Sequence, residues 1–106
     1  MPRKQTYPKR HPDILPVHPG ELLREDVVPA LQMSVSELAR SLGVTDSQLR
    51  AVLAEKKPVT AELAVRLAAA FKPSAEFWLR LQASYDLWHA QRNIDTSAIT
   101  ALQAAE

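Results

Sequence analysis

The sequence predicts an all-α fold, and three observations carry that reading. Apolar residues recur at three- and four-residue spacing in successive stretches, and no stretch shows the two-residue alternation of a half-buried strand. Helix punctuation falls between the stretches: Pro19, Pro29, Ser34, Gly43, Thr45, Pro58, Thr60, Pro73 and Ser74. Residues 34–57 also set two short helical patterns on either side of a glycine. With 106 residues, 46% of them apolar, the chain suffices for one small core.

Residues 1–17 hold Pro2, Pro8, Pro12 and Pro16 among scattered charges and cannot sustain a helix. They predict a flexible basic arm ahead of a folded domain over 18–106. His18 then opens the first helix, with Pro19 at a position that needs no N–H and Glu21 and Glu25 at the positive end of the dipole. Leu22, Leu23 and Val27 face inward, and Pro29 is expected to end or kink this helix.

The second and third helices belong together. Ser34 and Glu37 form a capping box before Leu38, Ala39 and Leu42, and Thr45 and Gln48 form another before Leu49, Val52 and Leu53. Between them Gly43 supplies a permissive backbone and Val44 returns to the core. A small Ala39, Gly43 four residues on and Leu49 six beyond that is the spacing of a DNA-binding helix-turn-helix. Ala39 lets the helices cross, Gly43 makes the turn, and Leu49 seats the second helix with its outer face toward a major groove.

Thr60 caps a fourth helix with Leu63, Ala64, Leu67, Ala68 and Phe71 on its apolar side. A fifth helix is expected over about 75–92, and a short terminal helix over 97–105. In the fifth, Phe77, Leu81, Tyr85 and Trp88 make one stripe while Trp78, Leu79 and Leu87 lie outside it. That surface is broader than one small core covers. Either the aromatics pack on the other helices, or Trp78, Tyr85, Leu87 and Trp88 form a dimer or partner interface.

Charge is uneven. The arm has Arg3, Lys4, Lys9 and Arg10 against Asp13, a net +3; the rest has nine basic and eleven acidic residues, a net −2. Any phosphate-binding surface is therefore local, and Arg40, Arg50, Lys56 and Lys57 are the candidates near the turn and the end of the third helix. Thr45, Ser47, Gln48 and Arg50 are the candidates for DNA contact: Gln48 and Arg50 can pair bidentately with base edges, and Thr45 lies at a helix N-terminus suited to phosphate. Lys56 and Lys57 either clamp phosphates or balance the negative end of their helix. The arm could track a minor groove, order against a protein partner, or stay a solvated tail.

Catalysis is not expected. His11, His18 and His89 are dispersed without metal-ligand spacing, Gly20 and Gly43 form no phosphate loop, and cysteine is absent. No metal or cofactor is implied. The lack of cysteine, of a secretory leader and of a membrane-length apolar run fits a cytoplasmic chain with no membrane role.

The order H-P-G-E-L-L-R-E at 18–25, the helix-turn-helix, P-V-T-A-E-L-A-V-R-L-A at 58–68 and S-A-E-F-W-L-R-L-Q-A-S-Y-D-L at 74–87 resembles the HigA antitoxins, compact members of the Xre/lambda-repressor-like superfamily. The tail N-I-D-T-S-A-I-T-A-L at 93–102 is also similar. The resemblance implies a five-helix domain, usually a homodimer, that neutralises a RelE-like (HigB-type) mRNA endoribonuclease toxin and binds operator DNA to repress its own operon. Two alternatives stay open beside it: a stand-alone Xre-type regulator without a toxin, and a toxin-binding inhibitor with weakened DNA binding. Three departures motivate the latter. Val35 stands where the family usually has Gln, Asp46 and Ser47 where it has Arg-Gln, and Glu55 where a glycine ends the recognition helix. A left-handed backbone at Glu55 would cost about 1 kcal/mol, or the turn must differ.

Overall fold

Each of the five helical rods among the described residues begins on a side chain that closes its first turn. Ser34, Thr45, Thr60 and Ser74 accept the backbone N–H three residues on, at 3.0, 3.0, 3.2 and 3.1 Å. At the first rod a ring nitrogen does the same work: His18 Nδ1 accepts from Gly20 N–H at 2.8 Å. The structure, a computed structural model, describes residues 15–102. The arm expected at 1–17 therefore lies outside the described residues except for its last three.

The first rod runs from α1 (Pro19–Leu22) through a π-helical turn (Leu23–Val27) into α2 (Val28–Leu31). Then come α3 (Val35–Leu42), α4 (Asp46–Leu53), α5 (Ala61–Ala70) and α6 (Ala75–Asn93), with no strand among the described residues. Pro29 neither ends nor sharply breaks the first rod. Proline has no N–H for the Glu25 carbonyl and its ring crowds that oxygen. The ladder widens ahead of it, Val28 N–H reaching Leu23 O, and the rod continues to Leu31. Gln32, in a left-handed conformation at φ 56°, stops it.

The core lies where α3, α4 and α5 meet the first rod and α6. Leu23, Leu38, Ala39, Leu42, Leu49, Val52, Leu53, Leu63, Ala64 and Leu67 are all buried, as the helical stripes predict. Gly43, at φ 78°, makes the turn between α3 and α4.

Two expectations for the C-terminal part need correction. Trp78 is not on an interface: it is 1% exposed, inside the core, with Phe77 packed edge-on at 5.3 Å. The buried line of α6 runs through Trp78 and Gln82, shifted one residue from the aromatic stripe. The bulkiest ring has the most area to remove from water, and the rotation of α6 follows it. Gln82 goes in with it because it has a partner. Its Oε1 accepts from Val59 N–H at 2.8 Å, and its Nε2 donates to Asp86 at 3.0 Å. The terminal helix over 97–105 is absent from its described part, 97–102. There Ser97 N–H donates to Asp95 Oδ1 and Ile99 N–H to Thr96 O, a turn. Ile99 and Leu102 are 71% and 93% exposed, so an isolated helix of that length would have no core face to stabilise it.

Candidate nucleic-acid interface

α4 is gripped from behind at its backbone. Gly20 in α1 lies so close to it that a Cβ there would stand 1.9 Å from Val52 O. Arg24 Nη1 donates to Leu53 O at 2.6 Å and to the Glu55 carboxylate at 3.1 Å, closing the C-terminal end of α4. Glu55 does adopt the left-handed backbone, at φ 64°, so the turn is the glycine-type turn with a glutamate in it. The other motif helix has the same device: Arg66 of α5 donates to Leu42 O at 3.0 Å and pairs with Glu62 at 3.0 Å.

Thr45, Ser47, Gln48, Arg50, Lys56 and Lys57 are all exposed, and they lie together along α4 and its exit. Their chemistry is less uniform than their placement. Gln48 Oε1 already accepts from Thr45 N–H at 2.9 Å while Thr45 Oγ1 accepts from Gln48 N–H. The expected bidentate pairing of Gln48 with a base is thus in competition with the cap, which leaves Nε2 as its free donor. Asp46 accepts from the Ser36 hydroxyl and lies 3.9 Å from Arg50, so its charge at the leading turn is partly answered. At the exit of α4 the last carbonyls are taken by backbone N–H groups and by Arg24, and no hydrogen bond or ion pair engages the Lys56 or Lys57 ammonium within the described residues. A groove of about 420 Å³ separates α4 from the start of α5, with Ser47, Gln48 and Ala51 on one wall and Lys57 and Thr60 on the other. The arrangement suits a polyanion strand beside a helix laid in a groove.

No family model matches the chain. An HTH-type transcriptional regulator of Escherichia coli K12, YbaQ, is 36% identical over 81 residues, 76% of this chain and 72% of the relative. Antitoxin HigA-1 of Vibrio cholerae is 31% identical over 83 residues, 78% of each chain. Among solved structures, antitoxin GraA superposes with a TM-score of 0.76 at 36% identity, over 87% of this chain and 99% of that one. GraA in complex with its operator superposes at 0.73, over 97% and 99%. The chain belongs to the HigA family of helix-turn-helix antitoxins.

A second surface of this HigA-family chain lies on the C-terminal half of α6. Tyr85 is half-buried between His18, at a ring separation of 4.8 Å, and His89, at 4.4 Å. Trp88 packs on His89 at 5.1 Å, and the Arg92 guanidinium lies 3.7 Å over its ring. Leu87 points away, 57% exposed, and Ile94 is 61% exposed. Of the four expected interface residues, three are therefore accessible at least in part and one is core. Sequence reasoning missed Gly20, Arg24 and Gln82, which hold α4 and α6. The signal for Gly20 was present in H-P-G, since a glycine beside a helix-opening proline has no local need to be one. The same reasoning missed Ala51, half-buried on α4, and Ala54, exposed at its C-cap.

Among the described residues no group of His, Cys, Asp or Glu could hold a metal ion, and no helix is long and apolar enough to cross a membrane.

Proposed function

We propose that this HigA-family antitoxin binds its own operator through α4 as a homodimer and neutralises a RelE-like ribonuclease. The carrying observation is the exposed, capped α4, with Arg50, Lys56 and Lys57 outward and its backbone clamped by Gly20 and Arg24. GraA, similar over nearly the whole chain, is a protein solved with its operator, which supports the DNA half of the reading. The exposed Leu87, Ile94, Ile99 and Leu102 support a protein contact near the C-terminal end of α6, where a dimer or a toxin would cover apolar area. A dimer places two recognition helices about 34 Å apart in successive major grooves. The protein acts by binding, not catalysis, in the cytoplasm. The basic arm at 1–17 is a further contact element for DNA or toxin, ahead of a helix-turn-helix domain assigned to 18–106.

Two experiments test this. The purified chain should retard a duplex from upstream of its own gene, with loss on Arg50→Ala and Gln48→Ala together; no specific retardation at low salt defeats the operator reading. Co-expression with the product of the adjacent gene should rescue growth, and failure to rescue defeats the antitoxin reading. The likeness to YbaQ favours a second reading, a regulator without a toxin, for which only the first experiment succeeds.

A further inference from the structure

We propose that the outward side of α4 reads its operator through one guanine and neighbouring thymine methyls: Arg50 on the guanine edge, Ala51 and Ala54 against the methyls, and Asp46 as the positioning residue for Arg50. The proposal rests on the DNA-binding reading above and names the class of site that reading leaves open.

The buried side of α4 is fixed by Leu49, Val52 and Leu53, at 0%, 4% and 8% exposure. At about 100° per residue, the opposite side runs through Ser47, Arg50, Ala51 and Ala54. The polar groups at the start of the helix are already engaged. Thr45 and Gln48 hold each other in the capping box, and Asp46 is held by Ser36. What remains to meet base edges is the Arg50 guanidinium, the Ser47 hydroxyl, the Gln48 Nε2 donor and two methyl groups.

Arginine matches guanine O6 and N7 with two parallel donors, and an alanine methyl matches the C5 methyl that distinguishes thymine in the major groove. Asp46 lies one turn before Arg50, 3.9 Å away, on the same side. A carboxylate there limits the guanidinium to fewer orientations, and the ion pair lowers the repulsion Asp46 would otherwise exert on phosphates. The bidentate pairing with adenine, which asks for both ends of an amide, is not served, since Gln48 Oε1 is in the cap.

The test selects binding sites with the full chain from random duplexes of about 24 base pairs, long enough for two major-groove contacts one turn apart. The best duplex is then remade with deoxyuridine for thymine, or 7-deazaguanine for guanine, one position at a time. At least one thymine in each half-site should lose roughly five- to tenfold in affinity without its methyl, and one guanine at least about tenfold without N7. Asp46→Asn should shrink the guanine to 7-deazaguanine ratio while leaving the thymine to deoxyuridine ratio unchanged; a merely structural role would move both or neither. Ala51→Gly and Ala54→Gly should shrink the thymine ratio. The base substitutions on the unaltered protein decide the matter if those variants do not fold. An enriched site indifferent to both substitutions overturns the proposal, and indifference to one overturns that half. A library with no enriched sequence overturns the DNA-binding reading itself.

Discussion

Glu55 is a charged residue in a backbone conformation that a Cβ disfavours, and Arg24 meets its carboxylate at 3.1 Å. The pair is partly exposed and screened by solvent, so its worth to stability is small beside the backbone cost. Two variants separate these effects, because Glu55→Gly and Glu55→Ala lose the same ion pair. The glycine form should be more stable than the alanine form by about 1 kcal/mol in chemical denaturation. Equal stabilities would show that the turn relaxes. Gly20 makes the opposite demand. Gly20→Ala sets a Cβ against Val52 O, a backbone atom that cannot swing aside, and should cost at least ~2 kcal/mol and weaken operator binding with it.

His18 adds a dependence on pH. Its burial pushes the imidazole below the ordinary value of 6.5, against the opposing pull of the Glu55, Asp86 and Glu21 carboxylates, and Nδ1 must stay unprotonated to accept from Gly20. Below 6.5 the unfolded chain takes up a proton before the folded chain does, so stability is full above 6.5 and falls as the pH drops toward the lower folded value. His18→Asn keeps a capping oxygen and removes the titration. Its stability should fall less than the parent's between pH 7 and pH 5, and parallel curves would refute the assignment.

At the scale of elements, α3 and α4 are short, eight residues each, and depend on their ends. Thr45→Ala removes the oxygen that accepts from Gln48 N–H while keeping the backbone N–H that donates to Gln48 Oε1, and should cost about 1 kcal/mol by thermal or urea unfolding. If the cost is absent, the Thr45 side of the reciprocal box contributes nothing. These boxes were legible in the sequence because capping is local: the partner is three residues away. The helix-turn-helix itself was legible for the same reason, from Ala39, Gly43 and Leu49. The rotation of α6 was not. Trp78 and Phe77 are both large aromatics, and which one enters the core depends on where α5 and the first rod leave room. Gln82 was invisible because a polar residue reads as surface unless its distant partner, Val59 N–H, is known. Both roles of Gln48, cap and base reader, were legible in the sequence; which of them its Oε1 takes was not, because the two compete for the same oxygen.

For the whole molecule, a near-neutral body with a local basic edge sets the electrostatics of association. Lys56 and Lys57 stand exposed at the exit of α4, their ammonium groups unpaired among the described residues, where DNA phosphates would pass. Lys56→Ala and Lys57→Ala should each weaken all duplexes alike and flatten the slope of log affinity against log salt by about 1 per bound copy. A change in preference among sequences would instead make them base readers.

The grip on α4 comes from Gly20, Arg24 and the buried leucines, and it falls on backbone carbonyls and the inner side of the helix. Ser47, Arg50 and Ala54 are exposed and Ala51 is half-buried at the groove, so these four side chains carry little of that duty. Their identities can be exchanged with little effect on folding, which makes this domain a ready chassis for engineering new operator specificities. A library randomised at those four positions, with Thr45, Asp46 and Gln48 kept, would vary the message while the mount stays fixed.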